Sequence, residues 1–187
     1  MSAAKSVLRK DMATHRAKAH ATVDPAPALA TLIDTLRPLQ GPISFYWPIR
    51  TEIDPRPAMR ALASTHAVCL PVTQGYDALI FRTWTEDAPM HTDGFGVQTP
   101  DASMPEVTPQ TLVIPMLAFD AACHRLGYGA GHYDRTLEKL REKSTVTTIG
   151  FAYAAQRLKQ ALPTDPTDQS LDMIITERGL QTPHSSW

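Results

Sequence analysis

At 187 residues, with 43% hydrophobic and 20% charged content, the chain has the size and make-up of one α/β domain with a sizeable core. A formal charge of -1 excludes a broadly basic nucleic-acid surface while leaving room for a local cationic pocket. Cys69 and Cys123, the two cysteines, form no Cys-x-x-Cys pair, which excludes a disulfide framework and a zinc cluster.

Residues 3 to 20 carry Leu8, Met12 and Ala19 at helical spacing among Lys5, Arg9, Lys10, Arg16 and Lys18, which predicts a basic amphipathic helix. Such a charge run ordinarily marks a solvated face. Lys5 and Arg9 are four apart, however, and project from one side, where they can converge on one phosphate chain. Asp24-Pro25 reads as a helix start with Asp as N-cap, and Leu29, Leu32, Ile33 and Leu36 mark its buried stripe. Ile43 to Trp47 is expected as a short strand, followed by a loop carrying Glu52 and a second helix start at Asp54-Pro55. Glu52 and Trp47 then lie at the carboxyl end of a strand, where ligands collect in open α/β sheets, although a loop glutamate is often simply solvated.

Ala67 to Val72 and Ala78 to Trp84 predict two strands paired antiparallel around Gln74-Gly75. Residues 85 to 110 read as a long connection with Phe95 between Gly94 and Gly96, placed either to close over a flat ligand or to anchor the loop to the core. Beyond it come an apolar strand at 112 to 118, a glycine-rich loop, and a helix marked by Leu137 and Leu140 after Asp134. Val146 to Phe151 is expected as a strand, Ala154 to Gln160 as a short helix, and Leu171 to Thr176 as the last strand. This order implies a single three-layer α/β domain over residues 1 to 187, with a mostly parallel sheet and helices on both faces. No apolar run approaches a membrane span and the amino end lacks a signal peptide's apolar core, so a cytoplasmic monomer without a membrane or nucleic-acid partner is expected.

The chemistry concentrates between strand and helix. Gly127, Gly129 and Gly131 alternate with larger residues, and amide N–H groups of such a loop at a helix N-terminus attract phosphate. Neither Gly-x-x-x-x-Gly-Lys nor Gly-x-Gly-x-x-Gly is present, and the glycines by themselves fit a plain turn equally well. Arg125, Arg135, Tyr128 and Tyr133 tilt the reading toward an anion. Asp134 suits either an N-cap or a Mg²⁺ ligand beside a phosphate.

The run Pro115-Met-Leu-Ala-Phe-Asp120, followed by Arg125-Leu-Gly-Tyr-Gly-Ala-Gly-His-Tyr-Asp-Arg135, resembles the signature of the 5-formyltetrahydrofolate cyclo-ligases, also called 5,10-methenyltetrahydrofolate synthetases. Weaker likeness lies in Lys5 to Arg9, Thr51-Glu-Ile-Asp54, Cys69-Leu-Pro71 and Leu171-Asp-Met-Ile-Ile-Thr176, so the resemblance spans nearly the whole chain. It implies a three-layer α/β fold and an ATP-dependent closure of 5-formyltetrahydrofolate to 5,10-methenyltetrahydrofolate, with ADP and phosphate released. It further implies that ATP phosphates meet Lys5, Arg9, Arg125 and the loop Gly127, Tyr128, Gly129, Ala130, Gly131, His132 and Tyr133. By the same likeness Asp134 and Asp168 hold Mg²⁺, Trp47, Glu52, Phe95 and Tyr133 meet the folate, and Arg125, His132 and Tyr133 form the catalytic group. Two positions depart from the family's usual pattern: His132 stands where Tyr is common, and Thr167 where His is frequent before Asp168. His132 either keeps the pocket's shape or adds an ionisable group that makes activity depend on pH, and it keeps open a second reading, a catalytically silent folate- or nucleotide-binding module. A sugar-phosphate isomerase or acyl-CoA transferase on a similar scaffold would leave Glu52, Phe95 and the basic helix without a role.

Overall fold

Asp24 accepts the amide of Ala26, and Asp54 that of Arg56, each at 2.9 Å, so both aspartates satisfy a first-turn N–H as the sequence suggests. The cap positions themselves fall one residue later, on Pro25 and Pro55. The helices that follow are α2 (Ala26–Leu36) and α3 (Arg56–Leu62), preceded by the long α1 (Ala3–Thr22). The computed structural model describes residues 3–183.

The strands are short. β1 (Ile43–Ser44) stops well before the expected Trp47; the Phe45 amide still reaches the Cys69 carbonyl at 3.0 Å, and Pro48 has no amide to extend a ladder. It pairs in parallel with β2 (Val68–Val72) on one side and β6 (Thr111–Ile114) on the other. β6 pairs in parallel with β9 (Thr147–Phe151), and β9 with β10 (Met173–Thr176). Antiparallel strands close both edges: β3 (Ile80–Thr83) on β2, as expected, and β11 (Gly179–Gln181) on β10. The last strand expected from sequence is therefore followed by one more.

Alternation along these strands fills two cores. Ile43, Val68, Leu70, Val113, Ile149 and Ile175 pack with Leu32 and Leu36 of α2 and Met59 of α3. Cys69, Leu112, Ile114 and Ile174 pack with Leu137 of α4 (His132–Arg141) on the other face. Helices thus cover both faces of a mostly parallel sheet, as the element order implies. A third cluster sets Met12 of α1 against Leu117, Ala118, Leu126 and Leu162.

Three connections differ from the sequence reading. Between β6 and the glycine loop lies a ribbon of two two-residue strands, β7 (Ala118–Phe119) and β8 (Arg125–Leu126), so strand and loop are not directly joined. Buried Asp120 organises its turn by accepting the amides of Ala122, His124 and Leu162. Residues 85 to 110 contain a hairpin, β4 (Met90–Thr92) and β5 (Gln98–Pro100), whose turn is held by Asp93 accepting from the Phe95 and Val97 amides. The helix expected over 154 to 160 shrinks to a 3₁₀ turn at Ala154–Gln156, because the Leu158 amide goes to Phe119 instead.

Candidate functional site

The basic helix is not a solvated face along its whole length. Lys5, Met12, Arg16 and Ala19 are buried and Arg9 is half-buried, a stripe at spacings of three and four that turns toward the loops at the carboxyl ends of β1 and β6. Lys5 Nζ lies 2.6 Å from Asp165 Oδ2 and 2.9 Å from Asp168 Oδ2. Burial pulls the ammonium down, and these two carboxylates outweigh it and leave Lys5 above its ordinary value. Arg9 Nε donates to the Gly127 carbonyl at 2.9 Å. Arg16, only 2% exposed, donates to Thr51 Oγ1 at 3.2 Å and to the Tyr128 hydroxyl at 2.7 Å.

The glycine loop arches between Arg9 and α4. Gly129 and Gly131 hold φ of 104° and 71°, and a Cβ on Gly131 would sit 2.7 Å from Arg135 Nη1. Arg135 Nη2 donates to the Ala130 carbonyl at 2.6 Å, propping the loop from within α4. Gly131 caps that helix, which starts at His132, so Asp134 is not its N-cap. Asp134 sits in the first turn and accepts on Oδ1 from Arg125 Nη2 at 2.7 Å and from the Gln169 amide at 3.1 Å. Arg125 also donates to the Gln169 carbonyl, and its burial lowers the guanidinium below its ordinary value against the pull of Asp134. The segment around Asp168 is thereby fastened to Arg125 and Asp134.

Glu52 is 4% exposed, far from a solvated loop glutamate. Its Oε2 accepts the Ile49 amide at 2.9 Å, and its Oε1 accepts the Tyr128 hydroxyl at 3.1 Å. Burial raises this carboxyl above the usual range, opposed by the Ile49 amide, Arg16, Tyr128 and Arg50. Tyr128 therefore joins the glycine loop to the Glu52 loop, and burial pushes its hydroxyl up to about 12. Tyr133 is half-buried, and its hydroxyl is raised by burial and then by the Glu52 charge.

The remaining aromatic residues sit apart from that junction. Trp47 packs against the α2–α3 core, with the Arg56 guanidinium 5.0 Å from its ring centroid. Phe95 is 53% exposed at the tip of the β4–β5 hairpin and does not anchor it to the core. Its ring meets His132 edge-on, with centroids 5.6 Å apart. His132 Nδ1 lies 3.0 Å from the Asp77 carbonyl, and its Nε2 is buried without a hydrogen-bond partner among the described residues. His132 thus faces the β2–β3 hairpin and Phe95.

Asp134 and Asp168 form a donor set that fits a small hard cation. Asp134 takes both of its hydrogen bonds on Oδ1, and Asp168 takes the Lys5 bond and the Asp165 amide on Oδ2, so each keeps a second carboxylate oxygen. Burial would raise Asp168, but Lys5 and the Asp165 amide hold it below its ordinary value. Among the described residues no group of three or more His, Cys, Asp or Glu closes a metal cage. Mg²⁺, a hard cation, is the kind of ion that two carboxylate oxygens would suit. Two surface concavities, of about 520 and 620 Å³, open at the amino ends of the strands, beside Pro42 and Ala67 and beside Val146 and Asp172.

Sequence reasoning missed Arg16, Arg50 and Asp165. Arg16 has a usable signal, since it lies four residues after Met12 and three before Ala19, on the helix's apolar stripe. Arg50 is one of two non-glycine residues with positive φ among the described residues, at 54°, and its guanidinium stands 5.5 Å from the Tyr128 ring centroid. Nothing in its spacing announces that backbone.

A family model described as the 5-formyltetrahydrofolate cyclo-ligase family matches residues 1–177. The chain is 33% identical over 140 residues to the 5-formyltetrahydrofolate cyclo-ligase of Haemophilus influenzae, covering 71% of this chain and 74% of that one. It is 30% identical over 132 residues to the Escherichia coli enzyme of the same name, covering 67% and 71%. Among solved structures it is similar to the 5,10-methenyltetrahydrofolate synthetase of Aquifex aeolicus, with TM-score 0.79, 25% identity, and 98% and 94% of the two chains covered.

Proposed function

The chain belongs to the 5-formyltetrahydrofolate cyclo-ligase family, and from that premise we propose that it converts 5-formyltetrahydrofolate to 5,10-methenyltetrahydrofolate with ATP as co-substrate, releasing ADP and phosphate. The observation that carries this reading is the junction at Tyr128. One loop brings anion-binding amides and cations to one side of that residue, and a buried carboxylate suited to a pterin's N–H edge lies on the other. A folate and a nucleotide are then held with their reacting ends between the two loops.

An N-formyl group is a poor electrophile. In the proposed reaction its oxygen attacks the γ-phosphorus of ATP, ADP departs, N10 attacks the activated formyl carbon, and phosphate leaves with the former formyl oxygen. The second step is intramolecular, so holding the folate in the ring-closing conformation supplies much of its rate. Phosphoryl transfer needs charge neutralisation and alignment more than a nucleophilic side chain. In this reading the 127 to 133 amides, Lys5, Arg9 and Arg125 hold the phosphates. Asp134 and Asp168 would hold Mg²⁺, which neutralises phosphate charge when bound. Lys5, held beside Asp165 and Asp168, would bring its positive charge to a phosphate bound there. Glu52 accepts the pterin N–H groups, while Trp47, Phe95 and Tyr133 offer flat faces. Tyr133, with its hydroxyl kept protonated, donates a hydrogen bond rather than acting as a base. His132 shapes the Phe95 contact.

The reaction is followed by the near-ultraviolet absorbance of the methenyl product when purified protein receives 5-formyltetrahydrofolate and Mg-ATP. Arg125→Ala and Asp134→Ala are expected to abolish it. Tight binding of both ligands with no ADP formed would instead assign a silent binding module.

A further inference from the structure

The surroundings of Glu52 hold more than the proposed contact with a pterin requires. A carboxylate offers about four lone-pair directions. The Ile49 amide takes one on Oε2 and the Tyr128 hydroxyl one on Oε1, which leaves an acceptor on each oxygen, the pattern that two parallel N–H donors need. Arg16 could have filled both, since a guanidinium in fork geometry uses the two oxygens of its partner. It does not. Arg16 Nη1 stops 3.6 Å from Oε1, an ion pair too long for a hydrogen bond, while Nε and Nη2 are committed to Thr51 and Tyr128. Nη1 is buried with no hydrogen-bond partner among the described residues, an arrangement that stability alone disfavours. The cation thus lends charge to the carboxylate without consuming its acceptors, and its other nitrogens fix the two groups that flank it.

Resting on the folate reading above, we propose that Arg16 is a positioning residue for the pterin ring. Acting through Tyr128 and Thr51, it holds Glu52 as a charged acceptor whose two open lone pairs receive the 2-amino and N3 N–H groups. Burial works against that charge and is opposed by the Ile49 amide, Arg16, Tyr128 and Arg50. Tyr46 and Tyr133 also face Glu52, and burial, followed by the Glu52 charge, raises the hydroxyl of each. Among these neighbours Arg16 is the buried cation. Its removal therefore favours a protonated Glu52, which loses one acceptor.

The test measures KM for 5-formyltetrahydrofolate and for ATP separately, with the pH profile of kcat/KM for the folate, in wild type, Arg16→Met and Arg16→Lys. Arg16→Met is expected to raise the folate KM roughly tenfold, leave the ATP KM within about twofold, and move the acid limb of the profile to higher pH. Arg16→Lys restores the acid limb through its charge but not the folate KM, because an ammonium cannot bridge Thr51 and Tyr128 as the fork does. Equal loss toward both substrates, or an unmoved acid limb in Arg16→Met, overturns the proposal. If Arg16→Met fails to fold, Tyr128→Phe replaces it, and an unchanged folate KM there has the same force. Calorimetric binding of 5-formyltetrahydrofolate separates this idea from the reading it rests on. A wild type that binds the folate without turnover rejects the ligase reading alone, and weakened binding in Arg16→Met then still supports Arg16. A wild type that does not bind overturns both.

Discussion

Lys5 meets Asp165 and Asp168 at 2.6 and 2.9 Å, and its worth to the fold is a function of pH. Asp168 is held below its ordinary value, so its share of the stabilisation is present above the unfolded carboxylate range and is lost as pH falls through the lowered folded value. Lys5 is raised, so its share is complete below its unfolded value and is lost as pH rises through the folded one. The stability gap between wild type and Lys5→Met, measured by urea unfolding, should therefore stay level from about pH 5 to about pH 10 and shrink toward both ends. A gap that widened in acid would contradict the pairing. Single residues were unevenly legible in the sequence. Arg125 and Asp134 stand in a signature whose spacing joins them, and the structure does bring them within 2.7 Å. Arg16 is easily passed over as one more cation in a basic helix, and only its spacing from Met12 and Ala19 marks it as lying on the buried stripe.

The glycine loop and the β4–β5 hairpin are the elements on which the site depends most. Gly131 occupies the left-handed region at 71° and backs onto Arg135. Gly131→Ala should lower stability by about 1 to 2 kcal/mol from the backbone alone, read from the urea midpoint, and raise the KM for ATP as the loop shifts. Phe95 makes the opposite prediction. Its ring is exposed and touches His132 rather than the core, so Phe95→Ala should change stability by less than about 0.5 kcal/mol while raising the folate KM. A clear loss of stability would make it an anchor after all. Long elements with strong patterning, α1, α2, β2 and β9, were readable because apolar spacing reports the face they bury. β1 was legible in place but not in length, the two-residue strands β7 and β8 are too short for any period to register, and β4 has little buried surface to alternate with.

At the scale of the molecule, the sequence conveyed the fold class correctly, because short strands alternating with helical stripes admit few arrangements other than a covered parallel sheet. It did not convey the antiparallel closure at β11, which depends on a turn with Gly179 at φ 114°. We read the chain as one domain. Sheet strands contribute to both large cores, so neither face can separate without exposing the other's backing. Far- and near-ultraviolet dichroism should accordingly report a single coincident unfolding transition. Two separated transitions would divide the chain into independently folding parts. No helix among the described residues is long and apolar enough to cross a membrane.

The basic face of α1 also sets a timetable for the nascent chain. Tyr128, Gly127, Asp165 and Asp168 lie 112, 118, 160 and 163 residues beyond the α1 side chains they bind. Made before all of these partners, α1 has none of these anchors until at least 112 further residues have been translated. A chain arrested before residue 165 would carry both ligand loops but leave Lys5 without its carboxylates, so the Lys5 corner of the site is completed only once Asp168 has been made.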